Sequence, residues 1–412
     1  MKKKFLPKLI ALFFIIIGCS CLNVIYAADT ESSSNLTEVE LEVPENIKED
    51  DNYNIPEAVS ISAENTLNEQ KSLKEKLRDI YNLEIEKYDK PSYLMEEIFT
   101  HKYSENSPLD YTHFWAGYNG ELGINFQDNG SVRNHYDFNA ITASVDGVLK
   151  DNNADFRFML RFMPYSHRNV MQTMFSDTYI GTNKIPHHRI QIGYFRPKVG
   201  HEGTLSTYVI PFLNRAQISR EFGTVRKIGG KIEGDYKYLD YNLGLYSSGT
   251  FFKDFFPGAE FDGWINIKPL ANTKGKYGNL KIGGGLQGGH RDNDYCVTGA
   301  YVGWEYKKFM ANFEWASANG YNGNSGYSTK NHADGFYGTI GYMLTKKLQL
   351  LARYDQFDPN KHVTKNTRKE YSVGLNYFIK GQALKLILNY VFCDNQGTRD
   401  SHRIIIGTQI IL

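Results

Sequence analysis

Past its first 27 residues the chain has no run approaching the ~20 apolar residues that a membrane-crossing helix needs. A polytopic helical membrane protein is therefore excluded. Proline is scarce, with 12 residues in 412, and cysteine scarcer, with 4. Collagen-like chains and disulfide scaffolds both fail on those counts. Neither sign of charge dominates: 47 Lys and Arg stand against 46 Asp and Glu, a formal net charge of +1. No nucleic-acid partner is expected. There is no G-x-S-x-G, no H-E-x-x-H and no P-loop. The expectation is a protein without cofactor or metal that is not an enzyme. What the chain does have is 29 Tyr, 25 Phe and 37 Gly at a mean hydropathy of −0.47. That mixture suits alternating β-strands, in a soluble protein or a barrel.

The ends differ from the middle. Residues 1–27 read as an export signal, with Lys2, Lys3, Lys4 and Lys8 ahead of the apolar Leu9 to Ile17, and Ala27 at the expected cut. Ile16-Ile17-Gly18-Cys19 also resembles a lipobox, which would put a lipid on Cys19. The apolar stretch running on to Ala27 favours simple cleavage. Cleavage leaves Cys296 and Cys393, either as one disulfide or as two lone thiols. Residues 28–107 carry 20 acidic and 8 basic side chains. They form an acidic leader, aperiodic at first and helical over 66–88, where Leu73, Leu77 and Ile80 make one stripe and Tyr81, Ile85 and Tyr88 its neighbour. Residues 108–412 hold 35 basic and 26 acidic residues, so the near-neutral total conceals a basic body behind an acidic leader.

From residue 108 the body reads as strand after strand with a period of two. Phe156, Phe158, Leu160 and Phe162 alternate with Arg157, Met159 and Arg161. Phe309, Ala311, Phe313 and Trp315 alternate with Asn312 and Glu314. Tyr371, Val373, Leu375 and Tyr377 oppose Ser372, Gly374 and Asn376. Leu386, Leu388, Tyr390 and Phe392 oppose Lys385 and Asn389, and Ile404, Ile406, Ile410 and Leu412 oppose Arg403 and Gln409. The pattern predicts 16 strands, at 111–127, 135–149, 155–163, 175–181, 188–195, 227–236, 241–247, 261–268, 279–287, 297–306, 309–316, 335–344, 348–355, 370–378, 384–392 and 402–412. Mostly short connections alternate with mostly long ones, among them 196–226, 288–296 and 317–334. An even strand count with this alternation predicts an all-β, 16-stranded antiparallel transmembrane barrel, with both termini in the periplasm and aromatic girdles at the strand ends. A soluble sandwich or propeller would need a second apolar layer.

At this point the sequence resembles the phosphate-selective porin O and P family over most of residues 110–412. Asp177-Thr178-Tyr179-Ile180 and the run Arg189 to Lys198, ending Gly193-Tyr194-Phe195-Arg196-Pro197-Lys198, resemble two of its segments. Gly338 to Leu344 with Leu350 to Asp355 resembles a strand pair near the family's C-terminus. Gly374-Leu375-Asn376-Tyr377 and Leu388-Asn389-Tyr390-Val391 resemble its last hairpin. The resemblance implies a homotrimeric outer-membrane porin whose third outer loop folds into the lumen, with small anions such as phosphate as solutes and outer-membrane lipid as surroundings. The third long connection, 196–226, is also the longest. Two departures stand out: Arg196-Pro197-Lys198 replaces the family's Lys-x-Pro order, and the chain ends in Leu412 where such barrels usually end in Phe.

A pore needs a constriction and well-placed charge rather than a nucleophile. Residues 196–226 hold Arg196, Lys198, Arg215, Arg220 and Arg226 against Glu202 and Glu221. The inward faces of neighbouring strands add Arg157, Arg161 and Arg189. Arginine suits oxyanions because its planar fork donates two bonds at once. These eight residues are the candidate anion-lining set. Solvation of an exposed loop is the bland alternative. A general diffusion porin, or a barrel anchoring the envelope through its acidic leader, remains open. Gly283, Gly285 and Gly288 fit G-x-G-x-x-G but lie in a strand and open no helix. His187-His188 have no partner at ligand spacing. A barrel phospholipase would need a Ser-His pair, but Ser166-His167 and Ser401-His402 are sequence neighbours whose side chains point to opposite faces.

Overall fold

The computed structural model describes residues 90–412 apart from 128–129, 151–153, 163–173, 250–254 and 324–327. The expected export signal, the lipobox cysteine, the helix over 66–88 and the Ser166-His167 pair lie outside the described residues.

Sixteen antiparallel strands close on themselves. They are β2 (Leu109–Gln127), β3 (Val132–Leu149), β4 (Ala154–Phe162), β5 (Thr178–Thr182), β6 (His188–Phe195), β7 (Lys227–Asp235), β8 (Leu239–Ser247) and β9 (Ala259–Ile267), then β10 (Asn279–Arg291), β11 (Asn293–Tyr306), β12 (Phe309–Asn322), β13 (Ser328–Met343), β14 (Leu348–Asp358), β15 (Arg368–Lys380), β16 (Leu384–Asn395) and β17 (Ser401–Ile411). Each pairs with the next, and β17 returns to β2 with Ile404 opposite Ile124 and Gln409 opposite Asn119. Closure removes every free sheet edge, which is how a β-structure satisfies its backbone without water. The start of β2 and the end of β17 lie at one mouth of the barrel, and the connection 196–226 leaves from the opposite ends of β6 and β7.

The alternation read from sequence fixes which residues face out. Ile180, Ile192 and Leu245 are 68%, 66% and 67% exposed on the outer face, whereas Asn119, Gln409 and Asp355 on the inner face are buried. Phe158, Phe313, Val373, Leu388 and Ile406 all lie on the exposed outer face. An apolar exterior around a polar interior is the arrangement a bilayer demands. No helix among the described residues is long and apolar enough to cross a membrane.

Two features differ from the sequence expectation. The connection expected over 288–296 is a hairpin instead. β10 runs on to Arg291 and pairs with Asn293 across Asp292, which takes φ 57°. Likewise β12 and β13 extend into the expected 317–334 connection. His290, Asp292 and Asp294 are polar on successive exposed positions, so no apolar alternation marks these ends.

Ahead of the barrel, a short helix α1 (Glu96–Phe99) and a three-residue strand β1 (Thr100–Lys102) were unanticipated. β1 pairs with β2 through His101 opposite Thr112, just beyond the stretch of β2 that β17 occupies. The chain crosses the rim here. Tyr93 packs on the inward side chains His113 and Trp115, while Phe99 packs on the outward Phe114.

Gly283, Gly285 and Gly288 sit inside β10, as the sequence implied. At Gly285 a Cβ would lie 2.1 Å from the Gly263 carbonyl oxygen and 2.7 Å from the Trp264 ring, so the strand needs glycine for close packing. Cys296 is exposed on β11 and Cys393 buried on β16; both are free thiols.

Candidate pore-lining site

The connection 196–226 is held inside the barrel by its backbone. Wall carboxylates take its N–H groups: Asp262 on β9 accepts from Lys198 at 2.5 Å, and Glu314 on β12 from His201 at 2.8 Å and Glu202 at 3.2 Å. Asp355 on β14 accepts from Gln217 at 2.8 Å, at the start of α2 (Gln217–Phe222). Wall amides also engage it: Asn389 accepts from the Leu213 N–H at 3.1 Å, Asn376 donates to the Pro211 carbonyl at 2.8 Å, and Gln409 donates to the Tyr208 carbonyl at 2.9 Å. These bonds satisfy backbone groups that burial would otherwise leave costly. Gly200, at φ +75°, takes a left-handed turn where a Cβ would strike the Glu314 carboxylate.

Apolar contacts complete the docking. Ala216, Ile218 and Phe222 pack with Tyr321, Tyr337 and Phe357 of the inner wall, and Leu213 packs with Ile387, Val391 and Ile405. Arg353 on β14 links the two parts. It pairs with Glu202, donates to the Asn214 carbonyl at 3.1 Å and to Thr339 Oγ1 at 2.9 Å, and lies 4.6 Å from the Phe212 ring centroid.

The eight candidate residues fall into separate spaces within the barrel. Arg157, Arg161, Arg196 and Arg226 line one cavity of about 220 Å³ with Asp177, Ser176, Thr204, Ser206 and Thr207. Arg157 is bidentate to Asp146, with both bonds at 2.7 Å, and Arg226 pairs with Asp177 at 2.7 Å. Arg196 donates instead to the carbonyl oxygens of Gly203 at 2.8 Å and Leu205 at 3.0 Å. Arg215 is buried beside them and also donates to Leu205, at 2.6 Å. Four guanidinium groups thus line a space that two carboxylates counter.

Lys198 and Arg189 line a second cavity of about 600 Å³, which reaches the β5–β6 turn at the mouth where β2 begins and β17 ends. Arg189 is bonded to Asp155 at 2.6 and 2.7 Å. Arg220 lines a third, of about 540 Å³, toward the opposite mouth with Arg133, Arg368 and Arg403. There Arg220 and Arg403 both bond Glu370, at 3.0 and 2.8 Å. The fold therefore brings the barrel arginines 157 and 161 to the loop arginines 196 and 226, and sets Arg189, Lys198 and Arg220 apart.

Burial sets the electrostatics of the loop. It pushes Arg196 well below its usual range, helped by the neighbouring Arg226 and Arg215. It pushes Arg215 down to about 10, so that group stays charged at neutral pH. Burial with Lys198 nearby pushes His201 down to about 3, so its imidazole is neutral. For Asp177, burial favours the neutral form, but Arg226 and Arg196 outweigh it and hold the carboxyl well below the usual carboxylate range.

Several site residues carried no sequence signal. Asp262, Glu314 and Asp355 are inward carboxylates whose role depends on a loop distant in sequence. Tyr93 lies in the expected acidic leader, and Tyr208 is an uncharged residue in a loop whose sequence signal is its charges. His187 and His188 pack against Tyr236, with ring centroids at 5.1 and 5.8 Å. Ser401 lines the third cavity while His402 lies among Phe126 and Phe392 on the outer face, so the two do not meet.

Residues 275–409 match the phosphate-selective porin O and P family. The resemblance read from the sequence stands over those residues, which include the motifs at 338–355, 374–377 and 388–391. No match is found among curated proteins. Among solved structures, the anion-selective porin from Comamonas acidovorans superposes with a TM-score of 0.54 at 10% identity, over 73% of this chain and 99% of that one. OprB of Pseudomonas putida gives 0.53 at 10% identity, over 73% and 94%. The outer membrane channel DcaP of Acinetobacter baumannii gives 0.51 at 11% identity, over 76% and 100%. At these identities the likeness is one of fold. Family match and closed barrel together identify an outer-membrane channel for small solutes.

Proposed function

We propose that this porin favours anions, passing small oxyanions such as phosphate through a constriction made by residues 196–226. The observation that carries the reading is the cavity shared by Arg157, Arg161, Arg196 and Arg226, whose four guanidinium groups outnumber the two carboxylates paired with them, Asp146 and Asp177. In a space walled by protein such an excess raises the local anion concentration. The Arg196 guanidinium is bonded to carbonyl oxygens and not to a carboxylate, and the hydroxyls of Ser176, Ser206 and Thr207 supply donors for weak, successive sites. The anion-selective porin of Comamonas acidovorans shares the fold. In this reading the acidic leader lies in the periplasm and three copies assemble, as the family resemblance implies.

A second reading, a general diffusion porin, draws support from the pairing of Arg157, Arg189 and Arg226 with Asp146, Asp155 and Asp177. Reversal potentials in a salt gradient across planar bilayers separate the two. Anion preference should be clear in dilute salt and fade in concentrated salt, as the screening length falls from ~10 Å at 0.1 M to ~3 Å at 1 M. A channel that is cation-selective or unselective in dilute salt overturns the proposal.

A further inference from the structure

The arginine-lined cavity has another wall that carries no charge. Trp115, Met159, Tyr208 and Ile411 form one apolar cluster, with Tyr93 packed against it, and all five line the cavity. Their rings are set at angles: Tyr93 to Trp115 at 5.8 Å and 52°, Trp115 to Tyr208 at 6.0 Å and 87°. Tyr93 belongs to the segment ahead of the barrel and is fixed from both sides. The Leu94 N–H donates to the Ile411 carbonyl at 2.9 Å, and the Ala383 N–H donates to Ser92 Oγ at 3.0 Å. Its ring meets His113 edge-on at 4.6 Å.

Size is the second observation. The cavity measures about 220 Å³. A water molecule's share of liquid volume is about 30 Å³, so a compact tetrahedral oxyanion would leave most of this space to solvent. An apolar cavity of roughly 150 Å³ already takes benzene. A charged wall, an aromatic wall and room for a ring between them describe an amphipathic ligand.

We infer that this cavity prefers an anion with a flat apolar body, an aromatic carboxylate, over inorganic phosphate, and that Tyr93 is a specificity-determining residue. The inference rests on the anion-favouring reading and narrows its substrate class. The carboxylate meets the guanidinium forks, Arg196 foremost, while the ring lies against Tyr93 and Trp115.

The test uses the full chain in planar bilayers, with chloride as the current carrier and benzoate or inorganic phosphate as blocker. Benzoate should half-block the wild-type current at about one tenth of the phosphate concentration or less. Tyr93→Leu keeps the site filled without the ring; it should remove most of the benzoate advantage and leave phosphate block within about twofold. Tyr93→Phe should behave as wild type. Equal block of the wild type by both anions overturns the inference. So does a Tyr93→Leu channel in which both blocks weaken in proportion, or in which neither changes. A wild type without anion preference in dilute salt removes the parent reading; an anion-selective wild type indifferent to benzoate removes this inference alone.

Discussion

Arg196 and Arg215 donate to the same oxygen, the Leu205 carbonyl, at 3.0 and 2.6 Å. A shared acceptor brings two like charges together and ties the loop's shape to its field. Exchanging both for glutamine should therefore do two things at once: shift the reversal potential toward cations and raise single-channel conductance as the loop loosens. Neutralising Lys361 and Lys365, far along the chain in the β14–β15 connection, should change neither. Equal effects from the two double variants would remove the loop arginines from the selectivity argument.

Glu202 and Arg353 form a buried pair, with side chains 3% and 4% exposed. Breaking such a pair from one side leaves a buried charge, at a cost of about 3–5 kcal/mol. Arg353→Met should undock the loop, seen as larger and noisier single-channel currents. Glu202→Gln with Arg353→Met should recover part of the wild-type behaviour, since no lone charge remains. A double variant worse than the sum of its parts would contradict this account.

His201 lies stacked on Tyr301, ring centroids 3.9 Å apart, and burial holds it neutral down to about pH 3. An undocked imidazole titrates near 6.5. As pH falls below that value the undocked state gains a proton the docked state refuses, so acid weakens docking. Closures or noise should increase between pH 7 and pH 5, and His201→Gln should reduce that increase. An acid response identical in both proteins would clear His201 of the role.

Phe158 and Leu375 face outward on β4 and β15. Aspartate at either place should block membrane assembly, because an Arg or Lys at mid-membrane costs roughly 2–4 kcal/mol and Asp somewhat less. Heat-modifiable migration on gels reads the outcome, and normal assembly of both variants would refute the facing assignment.

The stretch before Lys90 and the stretch after it should behave differently on deletion. Removing 28–88 while keeping 90–107 should leave conductance unchanged. A chain starting near Ser107 loses Tyr93 and β1 as well. It should still insert and conduct, with higher conductance from an open cavity floor. Equal conductance in the two deletions would show that the rim segment does not shape the pore.

The lipid-facing half of the barrel was legible because one physical demand, apolar residues every second position, acts along each strand by itself. Phe313 alternates with the polar Asn312 and Glu314, and its facing follows directly. The inner half answers to a different demand. Ile387, Val391 and Ile405 point inward yet are apolar, because they meet Leu213 of the loop and not water. Their strands read as near-continuous apolar runs whose second face has no local explanation. The charges of the loop were legible as a group, but which arginines would share a space was not. Arg161 shares a cavity with Arg196, while Lys198, two residues further, lines another, its backbone N–H held by Asp262 on β9. The hairpin at Asp292 has no signature in the sequence because its residues meet water on exposed positions and so carry no apolar period.

The segment that crosses the rim beneath β17 also bears on how the ring is made. Ile404 and Ile124, the partners at the seam, are separated by most of the barrel sequence. Joining them is the costliest loop closure in the fold, and contacts of such long range form late. The Leu94 bond to Ile411 and the pairing of β1 with β2 both lie at this seam, one on each side of the last strand's end. Residues 92–102 thus act as a clasp: once the last strand has found the first, the segment just ahead of the first strand fastens across the joint, and prying the barrel open there means lifting the clasp first.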